Sequence, residues 1–170
     1  GDLKMQPVNF EQFKAGYENN RKSYRSFITR LENNEPQKVD AVSDAIDKEV
    51  WKEIDCLSCA NCCKKMTPTF TAQDIKRAAT FLHISPKVFK EKWLEYDEKD
   101  KDWVNTSQPC QFLDLTTNMC SIYPARPADC AGFPHLNKKP FKDYGYVHKQ
   151  NIEYCPATFR FVELLKENIK

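Results

Sequence analysis

The sequence predicts a mainly α-helical chain whose helices pack with an irregular, cysteine-rich lobe. Apolar residues recur at helical spacing near both ends of the chain, whereas residues 103–137 lack that spacing and are rich in proline, cysteine and aromatic side chains. A chain of 170 residues is an ordinary length for one domain with a buried core. We therefore expect a single domain over residues 1–170, made of a helical hairpin (1–55), a cysteine-cluster metal-binding region (56–156) and a C-terminal helix (156–170).

Two amphipathic helices are predicted before the cysteines. Apolar side chains recur at steps of three, four and seven over residues 10–31, and the pattern restarts over residues 39–54. Asn34 and Pro36 interrupt it between the two stretches. The two helices are expected to form an antiparallel hairpin.

Two shorter helices are predicted after the first cysteines. Thr71 and Asp74 have the spacing of a capping box ahead of an apolar stripe. Ser85 followed by Pro86 is typical of a helix start, because serine is a favoured N-cap and proline a favoured first residue. We expect the second of these helices to run to the charged residues that begin at Asp97.

Strands are expected only in small hairpins. Residues 111–115 and 121–123 should pair within the lobe. Residues 138–150 mix lysines with aromatic side chains and predict an exposed hairpin of the composition that binds single-stranded nucleic acid. Because the formal charge is only +2 and no groove-forming fold is evident, nucleic acid is not expected as a partner.

Eight cysteines are the candidate metal ligands. Two-residue gaps let consecutive thiolates turn toward one ion, whereas adjacent or closely spaced cysteines do not easily meet disulfide geometry. Neighbouring side chains diverge, so both members of the vicinal pair are ligands only if they bind different metals or if one bridges or stays unused. We expect one or two centres with these ligands: Cys56, Cys59, Cys62, Cys63, Cys110, Cys120, Cys130 and Cys155.

The residues themselves leave the metal open. All-sulfur ligation suits zinc, iron and iron-sulfur clusters and disfavours magnesium or calcium. Cys130 and Cys155 follow or precede a proline that starts a helix, where unpaired amides stabilise a thiolate. Arg126 is a candidate to offset the negative charge of the thiolates, and His135 is the histidine closest to the motif.

Three blocks together resemble a known family: Cys56-x-x-Cys59-x-x-Cys62-Cys63, then Cys110-x-Phe112-Leu113, then Cys120-Ser121-Ile122-Tyr123-x-x-Arg126-Pro127-x-x-Cys130. Over roughly residues 56–134 the chain is similar to the bacterial CxxCxxCC cysteine-cluster family, described as zinc- or iron-chelating. The resemblance implies a metal-chelating protein that binds zinc or iron, with an iron-sulfur cluster left open. Many family members have arginine directly after the last cysteine of the third block, where this chain has Ala131.

A second function is implied by the same resemblance. Flagellin lysine N-methylases carry a similar cluster, so the alternative is an iron-sulfur-dependent enzyme or enzyme-like module that acts on a protein substrate. The sequence shows no glycine-rich phosphate loop and no catalytic constellation, so no catalytic residue is predicted. We expect a cytoplasmic, reducing location and no membrane span, with metal ions as the expected partners and any protein partner unidentified.

Overall fold

The computed structural model describes residues 7–33 and 39–169. The predicted interruption at Asn34 and Pro36 lies outside the described residues, as do residues 1–6 and residue 170. The described helices are α1 (Phe10–Asn33), α2 (Val39–Glu53), α3 (Cys56–Cys59), α4 (Asn61–Lys65), α5 (Ala72–Phe81), α6 (Pro86–Trp93), α7 (Ala128–Gly132), α8 (Gly145–Asn151) and α9 (Pro156–Asn168). The described strands are β1 (Thr69–Phe70), β2 (Leu94–Asp97), β3 (Asp102–Asn105), β4 (Leu113–Asp114) and β5 (Met119–Cys120). The prediction of a mainly α chain is confirmed.

The chain divides into two compact units. Unit 1 combines the segment up to Cys59 with the segment from Pro134 onward, and unit 2 is the continuous segment Ala60–Phe133. The expectation of one domain over residues 1–170 stays a prediction. None of the described helices is both long enough and apolar enough to cross a bilayer.

Unit 1 is built from the long helices at the two ends of the chain. Helix α1 packs against α8 and α9, and helix α2 packs against α9. Phe159 joins α9 to α1, because its ring lies 5.7 Å from that of Phe13 and 5.2 Å from that of Tyr24. The apolar stripes predicted for α1, α2 and α9 therefore form a shared core, whose buried members include Ile28, Leu31, Val39, Val50, Phe161, Val162 and Leu165.

The exposed hairpin predicted for residues 138–150 is wrong. A 3-10 helix spans Phe141–Tyr144 and leads into α8. The buried residues from 141 to 152 are Phe141, Gly145, His148, Asn151 and Ile152, each three or four positions from another member of the set. The buried residues therefore have helical spacing, but the alternation of aromatic and charged residues is typical of a strand and led to the wrong prediction.

Unit 2 combines α5 and α6 with a small sheet. The strand order is β1-β3-β2, all antiparallel, with Thr69 opposite Val104 and Leu94 opposite Asn105. The helix that was expected to run to Asp97 ends at Trp93, because the next four residues pair with β3 as strand β2. The two-stranded hairpin β4-β5 is separate, and its first strand lies within the predicted residues 111–115. Its second strand is Met119–Cys120 and not the predicted 121–123, where the chain turns into a 3-10 helix.

The helix starts of unit 2 follow their predicted caps. Thr71 and Asp74 form a reciprocal capping box at the start of α5, and the Ser85 hydroxyl accepts the Val88 N–H at the start of α6. The core beneath them is aromatic, with the Phe89 and Phe112 rings stacked at 5.9 Å. This core also holds Phe70, Ile75, Ala78, Ala79, Leu94 and Ile122.

Candidate metal centre

The eight predicted ligands divide between the two units. Cys56, Cys59 and Cys155 belong to unit 1, where α3 carries the first two and the N-cap of α9 is the third. The remaining five belong to unit 2: Cys62, Cys63, Cys110, Cys120 and Cys130. All eight lie within the described residues, and none of them forms a disulfide.

A left-handed residue interrupts the first block of cysteines. Ala60 has φ 48° and ψ 16°, a conformation that strains any residue with a Cβ atom. The helix that holds Cys56 and Cys59 stops there, and Cys62 and Cys63 begin again on α4. Because of this break, the four cysteines of the block do not share one helix face.

Backbone contacts bring the dispersed cysteines of unit 2 to the vicinal pair. The Cys110 N–H donates to the Cys63 carbonyl at 2.8 Å. Three residues further on, Leu113 pairs with Cys120 across the β4-β5 hairpin. The Leu113 N–H also donates to the Cys110 carbonyl at 3.0 Å and so closes a turn. This turn connects the second and third blocks of the motif.

Cys130 is held on the short helix α7. The Asp129 carboxylate beside it accepts the Thr69 N–H of β1 at 3.1 Å. The helix was expected to begin at Pro127, but Pro127 is its N-cap and Ala128 its first residue. Cys130 nevertheless lies in the first turn, as predicted.

Four thiols of unit 2 influence one another electrostatically. Burial raises the pKa of Cys110, Cys120 and Cys130, and the nearby Cys63 raises each of them further. The pKa of Cys63 itself is lowered to about 7, chiefly by a hydrogen bond from Cys62. We call Cys63, Cys110, Cys120 and Cys130 the four-thiol group.

Donor groups surround two of these sulfurs. The backbone N–H of Phe112 acts on Cys110 and that of Ile122 acts on Cys120, and each lowers the pKa of the thiol two residues before it. Arg126 also lowers the pKa of Cys120, in agreement with its predicted role. Donors of this kind stabilise the negative charge on metal-bound thiolates.

Asn105 is a neighbour of the sulfurs that sequence reasoning missed. It is buried on β3, and its side chain hydrogen-bonds to Cys110 and lowers the pKa of that thiol. Gln111 Nε2 donates to Asn105 Oδ1 at 2.7 Å and so fixes the orientation of the amide. No local pattern marks Asn105, because its role arises only when β3 reaches the second cysteine block.

The cysteines of unit 1 have a different environment. Cys155 is the N-cap of α9 as predicted, and burial raises its pKa although the N–H groups of Ala157 and Thr158 and the Thr158 hydroxyl oppose that rise. The Cys155 side chain nevertheless forms no regular capping hydrogen bond. Cys59 is buried in the same unit and also raises the pKa of Cys155, so these two thiols are neighbours, whereas Cys56 is exposed.

The thiol donors suit a soft metal, although their side chains are not arranged around a single point. Among residues 7–33 and 39–169, no group of three or more His, Cys, Asp or Glu side chains is arranged so that it can hold a metal ion. Four thiols are the number of sulfur ligands that a tetrahedral zinc or iron site requires.

A family comparison agrees with this chemistry. Residues 55–155, more than half of the chain, match the family model CxxCxxCC, described as a putative zinc- or iron-chelating domain. The chain belongs to the CxxCxxCC family. No solved structure matches it. The matched segment of this CxxCxxCC chain contains all eight predicted ligands, the first at Cys56 and the last at Cys155.

The histidines of this CxxCxxCC chain lie outside the three cysteine blocks of the sequence. His135 and His148 belong to unit 1, and His135 lies near enough to His148 to lower the pKa of that ring. His83 adopts a left-handed conformation just after α5. The motif residue Lys64 has a clearer effect on the site, since its charge lowers the pKa of Cys63.

Proposed function

We propose that this chain is a metal-chelating domain that holds zinc or iron through cysteine thiolates. The observation that carries the proposal is the four-thiol group, in which Cys63 lies close enough to each of the other three partly buried thiols to disfavour a negative charge there. Cys63, Cys110, Cys120 and Cys130 would be the ligands of the first centre. A divalent cation would offset the repulsion that four thiolates in a partly buried site impose on one another.

The nature of the donors supports a structural site. A zinc or iron ion with four thiolates has no open position for substrate, and such closed sites stabilise the fold rather than react. Because the ligands come from α4, a turn, β5 and α7, metal binding would tie these elements together. The free energy of binding then adds to the free energy of folding of unit 2.

The remaining predicted ligands stay part of the proposal. Cys62 hydrogen-bonds to Cys63 and lies beside the first centre. Cys56, Cys59 and Cys155 are proposed as ligands of a second centre in unit 1, for which the proximity of Cys59 and Cys155 is the supporting observation. A reducing, cytoplasmic location is proposed with it, because the thiols must remain unoxidised to bind metal.

Anaerobic purification followed by elemental and sulfide analysis tests the proposal. Stoichiometric zinc in colourless protein, or iron with thiolate charge-transfer absorption, is the expected result. Brown protein with acid-labile sulfide would replace the single-ion centre with an iron-sulfur cluster, which the same thiolates can hold. A chain that binds neither zinc nor iron, with all eight thiols reduced, would contradict the proposal. No observation on the described residues favours the enzyme alternative, which stays a prediction.

A further inference from the structure

The helix that carries Cys130 does not stabilise itself. Helix α7 has only five residues, too few to be stable alone, because the first turn of a helix is costly to form. Its N-cap, Pro127, provides no side-chain hydrogen bond to the first turn. The position of the Cys130 thiol therefore depends on groups outside the helix.

Asp74 of α5 provides one such group. Its carboxylate is buried, with 3% of the residue exposed. Oδ2 accepts the Thr71 N–H at 2.9 Å in the capping box, while Oδ1 accepts the Ala128 N–H at 3.2 Å. One carboxylate therefore caps α5 and also receives the first N–H of α7, which lies 54 residues further along the chain.

Arg77 extends the same contact. One of its nitrogens, Nη2, donates to Asp74 Oδ1 at 2.7 Å and to the Arg126 carbonyl at 2.9 Å. The guanidinium thus neutralises the buried carboxylate and holds the backbone just before α7. The two side chains fix residues 126–128, two positions before the sulfur of Cys130.

We infer that Asp74 is a positioning residue for Cys130, which holds the start of α7 so that this thiol lies within the four-thiol group. Asp74 touches neither the sulfur nor a metal and acts through the Ala128 N–H. This inference rests on the proposed function, because Cys130 is one of the proposed metal ligands. The sequence assigns Asp74 only to the cap of its own helix.

A matched pair of variants separates this role from helix capping. Asp74→Ala removes the capping box of α5 and also the acceptor of the Ala128 N–H. Thr71→Ala removes the reciprocal hydrogen bond of the capping box, in which the Thr71 hydroxyl accepts the Asp74 N–H at 3.1 Å, but leaves the contact with α7 intact. Arg77→Met is a third variant, which spares the capping box and removes the contact with the Arg126 carbonyl.

The measurement is the alkylation rate of Cys130 relative to Cys120 in the metal-free full-length chain, followed by peptide mass spectrometry. Asp74→Ala and Arg77→Met should raise this ratio by about threefold or more, because the start of α7 opens locally, and Thr71→Ala should leave it unchanged. If Asp74→Ala does not fold, Asp74→Asn, which replaces one of the two acceptor oxygens with an N–H donor, takes its place, and Arg77→Met then tests only the contact with the Arg126 carbonyl. Equal ratios in all variants, or the same rise in Thr71→Ala, would overturn the inference.

Zinc binding provides the second readout. Competition with a chromophoric chelator measures zinc affinity. Asp74→Ala should weaken zinc binding by about tenfold, which is the lower end of the effects of residues that support metal ligands. Thr71→Ala should bind zinc as tightly as wild type. If the wild-type chain binds neither zinc nor iron, the proposed function fails, and the alkylation ratio still decides whether Asp74 positions Cys130.

Discussion

Two adjacent cysteines show how strongly function depends on the single residue. Cys63 contacts the second block through its carbonyl and influences the other three thiols of the four-thiol group. Cys62 precedes it directly, yet its hydrogen bond runs to Cys63. Successive side chains diverge on a helix, so the two sulfurs cannot have equivalent roles in one tetrahedral centre.

Replacing each member of the pair by serine should therefore give unequal losses. Cys63→Ser is expected to weaken zinc or iron binding by more than about 100-fold, beyond the range of changes around the ligands, whereas Cys62→Ser should weaken it by no more than about tenfold. Chelator competition under anaerobic conditions measures both. Equal losses in the two variants would exclude Cys63 as the vicinal ligand of the first centre.

His148 is a buried residue whose polar atoms are not satisfied. Its ring is fully buried next to the rings of Phe141, at 5.4 Å, and Phe161, at 5.5 Å. Neither ring nitrogen has a hydrogen-bond partner among residues 7–33 and 39–169. Burial, with a smaller contribution from the nearby His135, lowers its pKa to about 4. The folded state therefore holds this imidazole in its neutral form.

The free energy of unfolding should fall as the pH falls, because His148 takes up a proton in the unfolded chain but stays neutral in the folded chain. The stability that depends on neutral His148 is fully present above the unfolded pKa of 6.5 and is lost as the pH falls toward the folded pKa of about 4. The loss amounts to up to about 3 kcal/mol. Denaturant unfolding of wild type and His148→Phe at pH 7 and pH 5 measures it. The variant should show the smaller decrease; parallel decreases would contradict the assignment.

At the level of the element, a left-handed residue separates α3 from α4. Ala60 is almost fully buried and occupies a left-handed conformation that glycine adopts more readily. A left-handed residue at this position ends one helical turn and starts another. The four cysteines of the first block are thereby assigned to two separate turns.

Substitutions at Ala60 should depend on the shape of the side chain at Cβ. Ala60→Val is expected to destabilise the metal-free chain by about 2 kcal/mol, because a branched Cβ increases the left-handed strain. Ala60→Gly, the matched control, should stay within about 1 kcal/mol of wild type, since relief of strain offsets the lost methyl group. Denaturant unfolding of the three chains measures these differences. If Ala60→Val is as stable as wild type, residue 60 is not held in the left-handed conformation.

At the level of the whole molecule, the two units should respond differently to metal. The four-thiol group lies entirely in unit 2, whereas unit 1 has a core of long helices that bury Phe161, Val162 and Leu165. Unit 2 contains short strands and short helices, which gain most from a ligand that joins them.

Removal of metal should thus loosen residues 103–133 before it affects α1 and α2. Amide hydrogen exchange, read by mass spectrometry with and without a strong chelator, is the measurement. The expected pattern is faster exchange over residues 103–133 with unchanged protection in the two N-terminal helices. Uniform loss of protection, or none, would count against a metal centre confined to unit 2.

Local signals predicted much of the fold. The caps at Thr71 and Ser85 and the start of α9 after Cys155 were readable because each depends on residues within one helical turn. Strands β1, β2 and β3 were missed, since two- to four-residue strands acquire their identity from distant partners. Leu94 continues an apolar helical stripe in sequence, yet it pairs with Asn105 as a strand.

The eight candidate ligands stay a prediction, and the sequence did not predict how they are grouped. Spacing identified all eight cysteines as candidate ligands. It could not assign Cys63, Cys110, Cys120 and Cys130 to one group, because that depends on the left-handed Ala60 and on the register that places Leu113 opposite Cys120. The contact of Asp74 with α7 and the role of Asn105 were missed for the same reason, because their partners are far along the chain or on another element.

The continuity of unit 2 has a consequence for biosynthesis. Its cysteines have all been translated by residue 130, whereas unit 1 must wait for the helix that begins at Pro156. Domains generally fold as they emerge, N-terminal parts first. We therefore expect unit 2 to bind its proposed ion before α9 of unit 1 has emerged from the ribosome, and chains made without the metal should be cleaved faster by proteases within residues 60–133.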